Sequence, residues 1–222
     1  MTQRSLFARL WYAMLWYPCW AVTKLAFRFR WSGAENVPAD GPVLIASNHQ
    51  SHLDPALIGI ACPRQLRFLA RHTLFFWPLG WLIRSLGAVP IDRTSGRGGI
   101  KATLKLLKEG EPVLVFPEGT RTRDGALQPL HAGFCALARR SKATIVPAAL
   151  DGAYAAMPRG NRMPRPRPIT LKFGRPITAG EYEDLSDEQL VELVNARIRE
   201  ELRLTTEDTE NTDRANMYRD LV

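Results

Sequence analysis

The chain has 222 residues, 45% of them hydrophobic, with three scattered cysteines, Cys19, Cys62 and Cys135. That is enough for one domain with a sizeable core, and the cysteine spacing excludes a disulfide framework or a zinc cluster. The net charge of +8 is uneven, since residues 1–180 hold 25 Lys and Arg against 9 Asp and Glu, and residues 181–222 hold 5 against 13. A basic body suits anionic lipid or phosphate-bearing ligands. It does not suit nucleic acid here, because no recognition motif accompanies the arginines.

Residues 6–29 read as a helix crowded with Trp11, Tyr12, Trp16, Tyr17, Trp20 and Phe27. Fourteen residues separate Arg9 from Lys24, and Pro18 interrupts them, which falls short of the roughly 20 apolar residues of a spanning helix. Trp and Tyr favour the headgroup level of a bilayer, where Arg4, Arg9, Lys24, Arg28 and Arg30 can meet anionic lipid. An interfacial anchor is expected over 1–32, with an ordinary core helix as the alternative. No small-residue cleavage site marks a signal peptide.

The stretch from Gly33 to Gly41, with Pro38 and Pro42, is a linker. Beyond it, apolar runs predict strands at 43–47, 66–70, 88–91, 113–116, 144–149 and 169–174. Helices are predicted near 55–61, 74–85, 98–108 and 132–141. This order predicts an α/β fold, a mixed and largely parallel sheet flanked by helices, with active residues gathered beyond strand ends. In the 98–108 helix Ile100, Leu104 and Leu107 share one side and Lys101, Lys105 and Lys108 another. Ser186 and Gln189 have the spacing of a capping box before a helix whose Leu190, Leu193, Val194, Ile198 and Leu202 share a face. The α/β domain is thus expected over 33–204, followed by a polar, acidic tail over 205–222.

The chemistry concentrates in Asn48-His49-Gln50-Ser51-His52-Leu53-Asp54, after the apolar run Pro42–Ala46. Across a turn, the Asp54 carboxylate can reach one nitrogen of His49 while the other nitrogen faces a substrate. Histidine titrates near neutrality and a carboxylate fixes its tautomer, the arrangement needed to take a proton from a hydroxyl. Asp54-Pro55 also reads as a helix N-cap followed by proline at the first helical position, and the two roles are compatible. A metal site at His49 and His52 lacks a third ligand nearby. Ser51 lacks the glycine-flanked elbow of a serine nucleophile.

Other strand ends carry polar clusters: Asp92-Arg93 after Ala88–Ile91, and Pro117-Glu118-Gly119-Thr120-Arg121-Thr122-Arg123-Asp124-Gly125 after Val113–Phe116. Arginine offers a planar fork to phosphate oxygens, and glycine permits close backbone approach. The plain structural alternative is an Arg93–Glu118 salt bridge and an Asp124-Gly125 turn. Farther on, Tyr154–Pro168 contains Arg159, Arg162, Arg165 and Arg167 with no intervening acid. It reads as a basic loop over a membrane or nucleotide phosphates, or as a solvated surface loop.

In order and spacing, these clusters resemble the four motifs of the glycerolipid acyltransferases. His49 and Asp54 match His-x4-Asp, and Gly87 through Arg93 match the second motif. Phe116-Pro117-Glu118-Gly119-Thr120-Arg121 matches the third and Ile145-Val146-Pro147-Ala148 the fourth. The likeness spans about residues 35–180. Phe68-Leu69-Ala70-Arg71-His72 resembles the link between the first two motifs, with Arg71 where the family commonly has lysine.

The resemblance implies direct acyl transfer without an acyl-enzyme. His49, oriented by Asp54, takes the proton of a lysophospholipid hydroxyl as that oxygen attacks the thioester carbonyl of acyl-CoA or acyl carrier protein. It further implies that Arg71, Arg93, Glu118, Gly119, Thr120 and Arg121 hold the glycerol phosphate head. Lysophosphatidic acid is the expected acceptor, with no metal and no cofactor, and Phe75, Phe76, Trp77 and Trp81 are candidates for an acyl channel. Members of the family are commonly monotopic on the cytoplasmic leaflet, in agreement with the reading of residues 6–29 and with an anionic membrane surface as partner. The alternatives are another lysolipid or an amino-acid-derived lipid as acceptor, or a non-catalytic lipid-binding relative. Retention of both His49 and Asp54 argues against the last.

Overall fold

A computed structural model of the chain describes residues 6–219 except 78, 86, 92–95 and 162. In chain order its elements are α1 (Leu6–Phe27), β1 (Arg30–Ser32), β2 (Val43–Ser47), α2 (Asp54–Ala61), β3 (Arg67–Arg71), α3 (Leu79–Ser85), β4 (Ala88–Ile91) and α4 (Gly96–Lys108). They continue with β5 (Pro112–Val115), α5 (Gly133–Ser141), β6 (Thr144–Asp151), α6 (Ala153–Ala156), β7 (Thr170–Phe173), α7 (Ala179–Tyr182) and α8 (Asp187–Arg219). Seven strands form one sheet in the order β1-β7-β6-β2-β5-β3-β4. Strands β2 to β6 run parallel, β7 pairs antiparallel with β6, and β1 runs parallel to β7. The mixed, largely parallel sheet expected from the sequence is therefore present.

Strand β2 is central and buried along its whole length, as a parallel strand covered on both faces must be. Val43 and Ile45 pack with the end of α1 and with α2, whereas Leu44 and Ala46 pack with α4, α5 and α8. The β2–α2–β3 and β3–α3–β4 crossovers advance in the same direction across the sheet. The right-handed crossover rule therefore places α3 in the layer of α2. Helix α4 turns Leu104 and Leu107 inward and exposes Lys101, Lys105 and Lys108; Ile100, expected with the leucines, is exposed.

Each predicted strand is present with ends shifted by at most two residues. Strand β1 is an addition: residues 30–32, predicted to belong to the anchor, pair with β7, and the neighbouring Phe29 is wholly buried. The predicted 74–85 helix is a 3-10 turn at His72–Leu74 followed by α3. The expected capping box at Ser186 forms, with Ser186 N–H donating to Gln189 Oε1 at 2.8 Å and Gln189 N–H donating to Ser186 Oγ at 3.2 Å. Helix α8 then runs on to Arg219, through the region predicted as a polar tail. Among the described residues no helix is long and apolar enough to cross a membrane.

Candidate active site

The parallel strands all end at one edge of the sheet, and the polar residues after β2, β5 and β6 meet there. Where β2 stops, the Asn48 side chain takes over from the backbone. Its Nδ2 donates to Leu150 O, and Leu150 N–H donates to its Oδ1, both at 2.8 Å. One amide thus continues the β2–β6 ladder while the main chain turns away. Gln50 ties two more loops together, donating to Gly125 O and accepting from Tyr154 N–H, each at 3.1 Å. Ser51 Oγ donates to Met157 O at 2.9 Å. These residues are buried, and each replaces lost water contacts with a protein partner, as buried polar groups must.

His49 is fixed on both its backbone and its ring. Its N–H donates to Glu118 Oε1 at 2.6 Å, its carbonyl accepts from Thr122 N–H at 2.8 Å, and its ring stacks on Phe116 at 3.8 Å with planes 12° apart. Nδ1 lies 2.8 Å from Asp54 Oδ2. The same oxygen accepts from the N–H groups of Gln50 and Ser51 at 2.7 and 2.8 Å. An oxygen facing two fixed backbone donors is an acceptor, so Nδ1 carries the ring proton and Nε2 keeps its lone pair. The His49 side chain is 18% exposed and that of Asp54 fully buried. The lone pair can therefore reach a ligand while the carboxylate behind it is closed to water.

The cap expected at Asp54 is not formed. Leu53 occupies the cap position without a side-chain bond, and Asp54 belongs to the first turn with its carboxylate turned back to Gln50 and Ser51. Burial pushes the Asp54 carboxyl above its ordinary value, while its bonds to His49, Ser51 and Gln50 pull it down. Three N–H donors on one oxygen favour the ionised form against that burial, and the ionised form is the one that stabilises a protonated imidazole.

Of the predicted head-group residues, Gly119 and Thr120 are exposed on the turn after β5, and Arg121 is half-buried beside them. Among the described residues Arg121 forms no ion pair. Partial burial first, and then the charge of Arg159, hold its pKa below the ordinary value. His52 is held low by burial, then by Arg121 and His49. The Arg121 guanidinium, with Arg159 close enough to act on it, favours an anion at this mouth. Glu118 faces inward: it is 3% exposed, and its second oxygen accepts from Gln128 N–H at 3.1 Å. Arg71 ends β3 at the same sheet edge, in register with Ile91. Arg93 lies outside the described residues. Asn48, Gln50, Thr122 and the stacking role of Phe116 went unassigned in the sequence. The one signal for the first two was an unbroken polar run, Ser47 to His52, directly after a fully apolar strand.

A histidine backed by a buried carboxylate, at the end of a central parallel strand and beside a turn that carries Arg121, is an arrangement able to take a proton from a hydroxyl. The acyltransferase family profile matches residues 28–151, and the chain belongs to that family. It is 34% identical over 174 residues to the 1-acyl-sn-glycerol-3-phosphate acyltransferase of Bacillus subtilis (strain 168), a match covering 75% of this chain and 84% of the relative. To the chloroplastic 1-acyl-sn-glycerol-3-phosphate acyltransferase LPAT1 of Arabidopsis thaliana it is 33% identical over 159 residues, covering 69% of this chain and only 42% of that longer protein. The fold is shared with the crystal structure of the 1-acyl-sn-glycerophosphate (LPA) acyltransferase PlsC from Thermotoga maritima, at a TM-score of 0.80 and 24% identity, over 93% of this chain and 84% of the other.

Proposed function

We propose that this protein transfers a fatty acyl group from acyl-CoA or acyl carrier protein to the free hydroxyl of lysophosphatidic acid, giving phosphatidic acid. The observation that carries the reading is the Nδ1–Asp54 bond, which leaves Nε2 as a lone-pair base at the mouth of the site. Nε2 takes the hydroxyl proton as the acceptor oxygen attacks the thioester carbonyl. The tetrahedral intermediate then expels the thiolate, which recovers the proton from the imidazolium, and Asp54 stabilises that cation while it exists. The thioester is a co-substrate, and no cofactor or metal takes part.

In this reading Arg121 attracts the acceptor phosphate, with Gly119 and Thr120 on the same turn and with Arg71 and Arg93 at neighbouring strand ends. Glu118 contributes by holding the backbone of His49. The enzyme is monotopic on the cytoplasmic leaflet, lying on an anionic membrane surface through α1. That helix exposes Met14, Tyr17, Val22 and Leu25, apolar groups that favour the headgroup boundary over water.

The test is thioester-dependent acylation of lysophosphatidic acid, assayed with both donors. His49→Ala is expected to lower kcat by about 10²–10⁴ with circular dichroism unchanged. Asp54→Asn is expected to be similarly impaired, since an amide supplies no charge to the imidazolium. A folded, fully active His49→Ala protein would defeat the mechanism.

A further inference from the structure

The chain between β3 and α3 takes no part in the chemistry above, yet its surface is unusual for water. Leu74, Phe76, Trp77 and Trp81 are 36%, 58%, 86% and 53% exposed. Solvated apolar side chains grouped within eight residues mark a contact surface. Phe75 beside them is half-buried, with the Arg84 guanidinium 5.1 Å from the centre of its ring. Aromatic groups with a cation at their base match the composition of a bilayer interface.

The position of this lobe identifies its occupant. It begins where β3 ends, and β3 runs parallel to β5 and through it to β2. The lobe therefore leaves the sheet at the edge where His49 sits. Helix α3 belongs to the layer of α2, against which α1 packs. The exposed apolar residues of α1 and those of the lobe thus lie on one side of the molecule.

We propose that Leu74, Phe76, Trp77 and Trp81 form a second membrane contact, seated at the headgroup boundary, which sets the mouth of the His49 site against the leaflet. The lysolipid acceptor then passes from the leaflet to His49 without being carried through water. This rests on the reading of the protein as an enzyme with a lipid acceptor. It differs from an acyl channel in a way that can be measured, because a docking surface matters only for substrate held in a membrane.

The test uses the full chain carrying Phe76→Ser with Trp77→Ser, and Trp77→Ser alone as the milder variant. Cosedimentation is measured with vesicles of phosphatidylcholine and phosphatidylglycerol. Acylation is measured with long-chain lysophosphatidic acid in those vesicles and with a short-chain form dissolved below its micelle concentration. The expected result is vesicle binding weakened by about tenfold or more, activity on vesicle-borne acceptor lowered in step, and activity on dissolved acceptor within about twofold of wild type. Phe76→Leu with Trp77→Phe should preserve most binding. Undiminished vesicle binding by the folded double variant overturns the proposal, and so does an equal loss on both acceptors, which identifies an acyl channel. If the wild-type chain acylates neither acceptor, the enzymatic reading fails by itself, and the binding measurement still decides whether the lobe touches membrane.

Discussion

Glu118 spends both carboxylate oxygens on backbone N–H groups, those of His49 and Gln128, which joins the third motif to the first. Burial pushes its carboxyl up to about 7, from an ordinary 4.5, against the pull of those two bonds. The folded chain therefore binds this proton more tightly than the unfolded chain does. The resulting stabilisation is complete below the ordinary value and is lost as pH rises through the folded one. Glu118→Gln cannot titrate, so the melting temperature of wild type relative to this variant should fall between about pH 5 and about pH 8; a difference that stays flat would refute the assignment. The variant should also lose about 10–100-fold in kcat, since its amide NH2 must face one of two N–H donors and the His49 backbone shifts. At this scale the sequence revealed the pair His49 and Asp54, because a four-residue gap across a turn constrains two side chains to meet. It did not reveal that Glu118 faces inward or that Phe116 supports the ring, because those contacts depend on how two distant strand ends meet.

Among the elements, the Gly87 turn into β4 shows why the second motif begins with glycine. Its φ is +102°, and a Cβ there would lie 2.1 Å from Leu66 O. Gly41 also has a positive φ, +77°, but has open space around it. Gly41→Ala should therefore cost about 1 kcal/mol from the backbone conformation alone. Gly87→Ala should cost about 3 kcal/mol or more, because the Leu66–Arg67 backbone must also move. Urea unfolding of both variants checks the ordering, and equal costs would mean that the close approach is relaxed in solution. The central strands were readable because burial on both faces demands unbroken apolar runs such as Val43–Ala46. Strand β1 was not, since three residues that alternate exposed and half-buried, directly after a helix, carry no such run. The length of α8 was also hidden, because its apolar face ends near Leu202 and polar composition alone does not distinguish a solvated helix from a tail.

For the molecule as a whole, the proposed anchor and the domain overlap, since Thr23, Phe27 and Phe29 of the N-terminal segment are buried. Deleting residues 1–30 should thus prevent cooperative unfolding from being observed at all, because losing each buried phenylalanine costs about 3–5 kcal/mol. Deleting residues 1–16 should leave the melting curve nearly unchanged and weaken sedimentation with anionic vesicles. Circular dichroism and vesicle cosedimentation decide this together, and undiminished vesicle binding by the shorter deletion would remove residues 1–16 from the membrane contact. The bonds that set the loop of His49 also join distant parts of the chain: His49 to Glu118 across 69 residues, Asn48 to Leu150 across 102, and Ser51 to Met157 across 106. A nascent chain that has emerged only as far as β5 contains every residue of the histidine–aspartate pair and still lacks the strand that aligns it. On the proposed reading, the ability to transfer an acyl group therefore arises only after β6 and the residues up to Met157 have joined the fold, long after the N-terminal helix has been made, so the geometry of the sheet itself keeps the proposed base from being assembled ahead of its surroundings.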